Sequence, residues 1–121
     1  MTDNMALAVA LAYHRAWTGG DLDEAMTYVA DDVVCDAPAG RLTGAAAYRA
    51  FMAPFVGMLK SADLIGAFGD DERAVVVYDT TTTLVDSGPA AEWVTVKDGR
   101  IAYSRFIFDR LPFQQARAAT G

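Results

Sequence analysis

The chain has 121 residues, of which 53% are hydrophobic, and its 10 basic and 16 acidic side chains give a net charge of −6. A chain of this length buries roughly two thirds of its surface on folding, so we predict a single domain over residues 1–121. The negative charge and the scattered basic residues disfavour a nucleic acid partner. No apolar stretch approaches the roughly 18 residues of a membrane span, so no membrane association is expected.

Cys35 is the only cysteine and His14 is the only histidine. One cysteine excludes an intramolecular disulfide, and no basic segment precedes the N-terminal apolar run as it would in a secretory signal. We therefore expect a cytoplasmic protein. The single histidine, the single cysteine and the scattered acids give no metal-ligand spacing, and there is no glycine-rich phosphate loop. We predict neither a metal nor another cofactor.

Two helices are predicted near the N-terminus. Residues 5–18 carry an apolar stripe at helical spacing, formed by Leu7, Val9, Tyr13 and Trp17. Asp21 has the character of an N-cap, and Glu24 follows three residues later as in a capping box. This pattern predicts a second helix over residues 22–30.

Two short strands and a third helix are predicted next. The first strand covers residues 33–37 and ends at Pro38, and the second lies around residues 41–42. A helix follows from about residue 44 to 59. Because a proline removes a backbone hydrogen bond inside a helix, Pro54 is expected to kink or split it.

The C-terminal half is predicted to consist of strands, at residues 63–68, 74–85, 91–96 and 101–108. Asp98-Gly99 joins the last two strands in a hairpin, because these residues tolerate the positive φ angles of a tight turn. Residues 112–121 lose periodicity and are expected to form a frayed tail.

Helices followed by a run of antiparallel strands indicate an α+β architecture. A long curved sheet that wraps around the N-terminal helices would form a cone with an open mouth. The ligand of such a cone is expected between the concave face of the sheet and the first helix.

Strand alternation predicts which side chains face this cavity. In the last strand Ser104, Phe106 and Phe108 share the apolar face with Ala102 and are predicted to point inward. In the preceding strand Val94 and Glu92 share a face, so a carboxyl is predicted on the apolar side. The opposite face, with Trp93, Thr95, Tyr103 and Ile107, suits a convex surface through which a homodimer could form.

Asp79 lies in a β-branched run where aspartate is disfavoured. Periodicity does not decide which face it occupies, because both faces of this strand begin with valines. As an inward residue it is a candidate general base. As an outward residue it would bond to a neighbouring threonine hydroxyl or to Arg105, and the two interpretations stand level.

Other candidates for the cavity have an ordinary structural explanation as well. Tyr13 is either a phenol donor across the cone or a core aromatic, and His14 is either a ligand contact or a satisfied histidine. Cys35 is by default an inert buried thiol, and Asp36 either caps the turn before Pro38 or lies at the cavity rim. The remaining candidates are the aromatic residues Trp17, Phe51 and Phe55.

The order of motifs resembles a known superfamily. The segments AYHRAWTGGDLDEAM, LTG, AEWVTVKDGRI and SRFIFD resemble the SnoaL-like branch of the nuclear transport factor 2-like superfamily over most of the chain. This resemblance implies a cone-shaped α+β roll of the cystatin-like type, with a mixed curved sheet around the N-terminal helices. The superfamily includes ketosteroid isomerases, limonene-epoxide hydrolases, polyketide cyclases and binding domains.

The resemblance also implies roles for individual residues. Tyr13 falls where ketosteroid isomerases keep an oxyanion-hole tyrosine, and Glu92 where they keep a protonated acid. Their general base precedes the proline, a position that is Ala37 here, which disfavours the usual steroid isomerase mechanism. The last-strand acid of the epoxide hydrolases falls at Phe106, which puts that activity in doubt too.

Two hypotheses about function follow. In the first, Tyr13 and Glu92 polarise an oxygen while Asp79 removes a proton, giving isomerase- or cyclase-like acid–base catalysis on a small hydrophobic carbonyl or hydroxyl compound. In the second, the cone is a non-catalytic ligand-binding or dimerisation domain. The two differ in whether Asp79 and Glu92 share one cavity with Tyr13.

Overall fold

The computed structural model describes residues 4–120. Residues 1–3 and Gly121, which the predicted domain and tail include, lie outside the described residues. The elements in chain order are α1 (Met5–Thr18), α2 (Leu22–Met26), β1 (Val29–Ala37), β2 (Gly40–Thr43), α3 (Ala45–Met58), β3 (Leu59–Gly69), β4 (Arg73–Thr82), β5 (Gly88–Lys97), β6 (Arg100–Phe108) and α4 (Leu111–Thr120). The predicted α+β class is confirmed.

The six strands form one mixed sheet in the order β2-β1-β6-β5-β4-β3. β1 pairs with β6 in parallel, and the other neighbouring pairs are antiparallel. Register shifts interrupt the β1–β6, β3–β4 and β5–β6 ladders. Such irregularities bend and twist strands, so the sheet curves around the helices. At the β5–β6 hairpin Asp98 and Gly99 have φ angles of 54° and 77°, which fits the predicted tight turn.

The core lies between the concave face of the sheet and helices α1 and α3. The buried residues of α1 are Ala6, Val9, Ala10, Tyr13, His14 and Trp17. Those of β4 alternate along the strand as Ala74, Val76, Tyr78, Thr80 and Thr82. From α3 the buried side chains are Tyr48 and Met52. One helix face and one strand face therefore supply the interior, as the periodicities of 3.6 and 2 require.

One prediction about the helices is wrong. The second helix ends at Met26 rather than at residue 30, because the chain turns toward β1. Just before this strand, the Tyr28 carbonyl accepts the Ile101 N–H at 2.8 Å. The third helix continues through Pro54 without splitting. Both Pro54 and Ala50 are exposed, so the Ala50 carbonyl that proline leaves without a helical partner can bond to water.

The predicted frayed tail is also wrong, because residues 111–120 form helix α4. The Asp109 carboxylate accepts the Leu111 N–H at 2.9 Å and caps the start of this helix. Phe113 anchors it and is only 7% exposed. Within residues 4–120 no helix is both long and apolar enough to cross a membrane.

Candidate functional site

A cavity of about 420 Å³ opens at the wide end of the cone. Its walls are mainly aromatic and aliphatic side chains, as in most small-molecule sites. They come from α1, α3, the ends of β4, β5 and β6, and α4, and include Trp17, Phe51, Met52, Phe55, Met58, Tyr78, Ala90, Phe106, Phe108 and Phe113.

Helix α4 forms one side of this cavity. The Phe113 ring packs against Phe55, with ring centroids 6.3 Å apart, and against Phe108 at 6.1 Å in an edge-on arrangement. These contacts join α4 to α3 and to the end of β6. The C-terminal helix thus forms a wall of the cavity, whereas the sequence predicts a frayed tail there.

The mouth of the cavity is more polar than its walls. It is lined by Asp109 and Arg110, which precede α4, and by Gln114 and Arg117 of α4. Ser87 and Gly88 line it from the β4–β5 connection and the start of β5.

A buried carboxyl lies deeper in the fold, on β5. Glu92 is 1% exposed, and its Oε2 accepts the Tyr48 hydroxyl at 2.8 Å and the Ser104 hydroxyl at 2.5 Å. The Tyr13 hydroxyl is hydrogen-bonded to that of Tyr48. Because Tyr48 has one proton and gives it to the carboxylate, Tyr13 is the donor in this pair. The result is a Tyr13–Tyr48–Glu92 chain with Ser104 as a second donor, and we call these four residues the Glu92 cluster.

The other carboxyl oxygen of this residue, Oε1, is buried without a hydrogen-bond partner. Burial raises the pKa of Glu92 from 4.5 to about 7, while the Ser104 and Tyr48 hydrogen bonds act in the opposite direction. Burial and the nearby Glu92 charge raise the pKa values of Tyr13 and Tyr48 well above 10. Glu92 is consequently the group of the cluster that changes protonation near neutral pH.

Two further polar atoms are buried without partners. His14 Nδ1 and Trp17 Nε1 both lack a hydrogen bond. The His14 ring packs against Trp17 and Tyr78, with centroids 5.3 and 4.7 Å apart, and burial lowers the pKa of His14 from 6.5 to about 4. His14 is therefore neutral at physiological pH. Trp17 also lines the cavity.

The Glu92 cluster and the cavity are adjacent but separate. None of the four cluster residues lines the cavity, whereas Phe106 and Met52 do. Phe106 is paired with Glu92 across the β5–β6 ladder, and its ring also packs against Tyr48, with centroids 6.1 Å apart. Phe106 thus lines the cavity and is also a neighbour of the Glu92 cluster.

The structure divides the predicted ligand contacts into two groups. The residues that line the cavity are Trp17, Phe51, Phe55, Phe106 and Phe108. Those that do not line it are His14, Cys35, Asp36, Val94 and Ser104. Cys35 is fully buried beside Ser104 in the β1–β6 ladder, and burial raises its thiol pKa to about 12, which makes it inert.

Of the two orientations that the sequence leaves open for Asp79, the structure shows the outward one, so Asp79 is not placed as an inward general base. Its strand neighbours Tyr78 and Thr80 are buried, and Asp79 itself is exposed on the outer face. The register fixes this orientation, because Val76 lies opposite Glu92 and the odd-numbered residues of β4 face away. Asp79 and Glu92 do not share a cavity.

Asp36 does not reach the cavity rim. Its carboxylate binds the Arg41 guanidinium through two hydrogen bonds of 2.8 and 3.0 Å and accepts the Tyr103 hydroxyl at 2.6 Å. These donors hold the pKa of Asp36 well below its usual range. The hydrogen bonds among Asp36, Arg41 and Tyr103 thus join β1, β2 and β6 on the outer face.

Sequence reasoning missed several residues of the site, among them Tyr48 in the Glu92 cluster and Tyr78 and Phe113 in the cavity wall. Tyr48 was detectable, since Tyr48, Met52 and Phe55 recur at helical spacing and predict one buried stripe of α3. Tyr78 alternates with Asp79 in a run that is apolar on both faces. For Phe113 the signal was Asp109, a capping residue, followed by Pro112 in the first helical turn.

No part of the described chain, residues 4–120, gathers three or more His, Cys, Asp or Glu side chains in a way that could hold a metal ion. The polar side chains that line the cavity mouth carry guanidinium, amide and hydroxyl groups and one carboxylate, that of Asp109.

A comparison with protein families finds one match. The profile of the SnoaL-like domain matches residues 10–104, which is most of the chain. No curated protein matches it.

Solved structures give the same result for the fold. A Kribbella flavida protein is 57% identical over 96% of each chain, with a TM-score of 0.93. An NTF2-like protein from Cytophaga hutchinsonii is 17% identical over 93% of this chain and 97% of its own, with a TM-score of 0.77. An M. tuberculosis LEH-like epoxide hydrolase is 17% identical over 95% of this chain and 90% of its own, with a TM-score of 0.73. The latter two likenesses concern the fold alone.

Proposed function

Given that the chain belongs to the SnoaL-like domain family, we propose that it binds a small, mostly hydrophobic carbonyl or hydroxyl compound and performs acid–base chemistry on it. The ligand occupies the aromatic cavity, and Glu92 transfers the proton. The observation that carries the proposal is the buried Glu92 carboxyl, which is paired across the sheet with the cavity-lining residue Phe106. Burial raises the pKa of this carboxyl to about 7. A carboxyl with such a pKa takes up and releases protons near neutral pH.

The hydrogen bonds of Glu92 support this role. Tyr48 and Ser104 both donate to Oε2 and fix the carboxyl, while Oε1 remains without a partner. In the ionised form, Oε1 accepts a proton from the carbon next to a carbonyl, and the electrons of that C–H bond move toward the carbonyl oxygen. Return of the same proton to another carbon completes an isomerisation without net change in protons. Contact with the substrate requires the Phe106 ring to turn aside.

The unpartnered indole N–H of Trp17 is the proposed donor to the ligand oxygen. It belongs to a cavity-lining residue, and a buried donor without a partner is costly. A ligand carbonyl or hydroxyl that accepts this hydrogen bond removes the cost. An apolar molecule without oxygen offers no such compensation.

The test is proton exchange in deuterated buffer. Cyclohexanone and tetralone are incubated with the protein, and loss of the α-proton signals is followed by NMR. We expect the protein to accelerate exchange above the buffer rate, and Glu92→Gln to reduce the acceleration by at least about 100-fold, the lower range for general acid–base catalysis. Asp79→Asn, which alters an exposed carboxyl, is the matched control and should retain the activity.

A second candidate is ligand binding without catalysis. It is favoured by one observation: the Glu92 cluster does not line the cavity and forms hydrogen bonds within itself. Fluorescence of a Trp93→Phe variant, which retains Trp17 as the only tryptophan, measures binding separately from exchange. Ketone binding without accelerated exchange would favour this second candidate, and absence of both would contradict the cavity as a ligand site.

We also propose that the outer face of the sheet pairs with a second copy of the chain. Ile107, Phe68 and Val77 are 56%, 67% and 36% exposed on strands whose outer faces adjoin. Trp93 and Tyr103 extend this apolar surface, with ring centroids 5.9 Å apart. A homodimer would cover it, and light scattering should give a dimer mass that Ile107→Glu lowers to that of a monomer.

A cytoplasmic location is part of the proposal. The only cysteine, Cys35, is a buried free thiol. A protein without a disulfide needs no oxidant to fold and suits a reducing compartment. Fractionation of the native host, with detection by antibody, would test it.

A further inference from the structure

One phenol in the cavity wall has no partner among the described residues. The tyrosine hydroxyls that form hydrogen bonds within residues 4–120 are those of Tyr13, Tyr28, Tyr48 and Tyr103. Tyr78 is the remaining one of the chain's five tyrosines, and its hydroxyl forms none with this part of the chain. The enclosed polar side-chain atoms without a partner are three others: His14 Nδ1, Trp17 Nε1 and Glu92 Oε1. The Tyr78 hydroxyl therefore borders open space, and the cavity is the space that Tyr78 lines.

Tyr78 and the buried carboxyl are neighbours on the inner face of the sheet. In the β4–β5 ladder Glu92 pairs with Val76 and Tyr78 pairs with Ala90, so Tyr78 is the diagonal neighbour of Glu92. Diagonal neighbours are about 7–8 Å apart, which aromatic and long side chains can span. A carbonyl oxygen and the C–H next to it belong to adjacent carbons of one molecule, so a donor to the oxygen must lie close to the base.

The Tyr78 phenol is a hydrogen-bond donor near neutral pH. Burial and, after it, the nearby Glu92 charge raise the pKa of Tyr78 well above 10, so its hydroxyl keeps the proton. The Tyr78 ring packs edge-on against Trp17, with centroids 5.5 Å apart, which brings it beside the indole donor of the proposed function. By contrast, Tyr13 does not line the cavity and gives its hydroxyl proton to Tyr48. The phenol donor that the sequence suggests at Tyr13 is thus supplied to the cavity by Tyr78.

We propose that the Tyr78 hydroxyl donates a hydrogen bond to the carbonyl oxygen of the ligand and stabilises the enolate that forms there. The inference rests on the proposed function and assigns a further catalytic residue to it. When Glu92 takes the proton from the neighbouring carbon, the electrons of that C–H bond move to the oxygen, which becomes negative. The hydrogen bond from Tyr78 strengthens as this charge develops, while Tyr78 keeps its own proton. Return of the proton from Glu92 to carbon discharges the oxygen.

The experiment removes the hydroxyl and keeps the ring. Tyr78→Phe is compared with the wild type and with the matched control Tyr28→Phe, whose hydroxyl does not line the cavity, in the exchange of tetralone α-protons. We expect Tyr78→Phe to lower kcat by about 100-fold, as for loss of an oxyanion donor, with little change in KM. Because Tyr78→Phe breaks no hydrogen bond among the described residues, its urea midpoint should equal that of the wild type, whereas a tyrosine with a structural role would lower the midpoint.

Binding is followed separately with tetralone labelled with ¹³C at the carbonyl, whose signal moves downfield when the oxygen accepts a hydrogen bond. We expect this displacement in the wild type and in Tyr28→Phe, and a smaller one in Tyr78→Phe. A kcat or a carbonyl signal that is the same in Tyr78→Phe as in the wild type overturns the inference and leaves the proposed function intact. A signal that depends on Tyr78 without accelerated exchange in the wild type supports the hydrogen bond and contradicts the proposed catalysis. Absence of tetralone binding overturns both.

Discussion

Phe106 lies opposite Glu92 in the β5–β6 ladder, and only the first of the two residues lines the cavity. Side chains paired in this way have Cβ atoms about 5 Å apart. The Glu92 carboxyl is therefore near a ring that borders the ligand space, and its burial raises its pKa. This arrangement links the stability of the core to the proposed chemistry.

Glu92 should make the stability of the protein depend on pH. Its folded pKa of about 7 lies above the ordinary 4.5, so the folded state keeps a proton that the unfolded state has lost between these values. The free energy of unfolding then falls as pH rises from 4.5 to 7. Below pH 4.5 the folded state keeps the full stabilisation that protonated Glu92 gives it. Above pH 7 this stabilisation has been lost, and the loss stays constant at about 3 kcal/mol, because each pKa unit corresponds to about 1.4 kcal/mol.

In Glu92→Gln the side chain is neutral at every pH, so this variant should lack the pH dependence of stability that Glu92 causes. We expect the difference in unfolding free energy between the wild type and Glu92→Gln to decrease across the window, as measured by urea denaturation. Taking the difference cancels the titration of other groups. An equal change in Asp79→Asn, or a difference that does not vary with pH, would contradict the assignment of the raised pKa to Glu92.

The same residue shows what the sequence could predict. Alternation placed Glu92 and Ser104 on the inner face, because in each strand they share that face with valines or phenylalanines. Asp79 could not be placed in this way, since its strand begins apolar on both faces and only the pairing of Val76 with Glu92 fixes its orientation. Strand pairing depends on contacts between distant parts of the chain, which local periodicity does not contain.

Helix α4 marks a second limit of the same kind. Its polar sequence gives no amphipathic stripe, and one buried ring, Phe113, holds it to Phe55 and Phe108. The three phenylalanines come from three different elements. A helix that is stabilised by so few tertiary contacts is not apparent from its own residues.

Tyr48 and Tyr13 should differ in their contribution to stability. Tyr48→Phe removes the donor to Glu92 and the acceptor of Tyr13 at once, and leaves two buried polar groups with fewer partners. We expect it to lower the unfolding free energy by about 2 kcal/mol or more. Tyr13→Phe removes only the end of the chain and should cost less, about 1 kcal/mol.

Chemical denaturation of both variants at one pH provides the measurement. Because Tyr48 also lowers the pKa of Glu92, its removal should raise that pKa further, which ¹³C NMR of the carboxyl reports. An equal effect of the two substitutions on stability and on the Glu92 titration would contradict the chain order of these hydrogen bonds.

His14 should titrate far below an ordinary histidine. Its ring is enclosed by Trp17 and Tyr78, and burial lowers its pKa from 6.5 to about 4. The unfolded chain binds a proton below pH 6.5 and the folded chain does not, so the unfolding free energy falls as pH drops from 6.5 to 4. This direction is opposite to that of Glu92.

The measurement is direct, because His14 is the only histidine and its imidazole proton gives one signal in an NMR titration. We expect a midpoint near pH 4 and a smaller acid-induced loss of stability in His14→Phe than in the wild type. A midpoint near 6.5 would place the ring in water and contradict its burial.

Phe113 and Leu111 test whether α4 completes the cavity. Phe113 is 7% exposed and contacts the rings of Phe55 and Phe108, whereas Leu111 is 54% exposed on the same helix. Phe113→Ala should lower the unfolding free energy by about 3 kcal/mol and weaken tetralone binding, because it removes a cavity wall. Leu111→Ala should change the unfolding free energy and the binding free energy by less than about 0.5 kcal/mol each, as expected for a surface substitution. Urea denaturation and Trp17 fluorescence measure the two effects, and equal behaviour of the variants would show that α4 does not pack as a wall of the cavity.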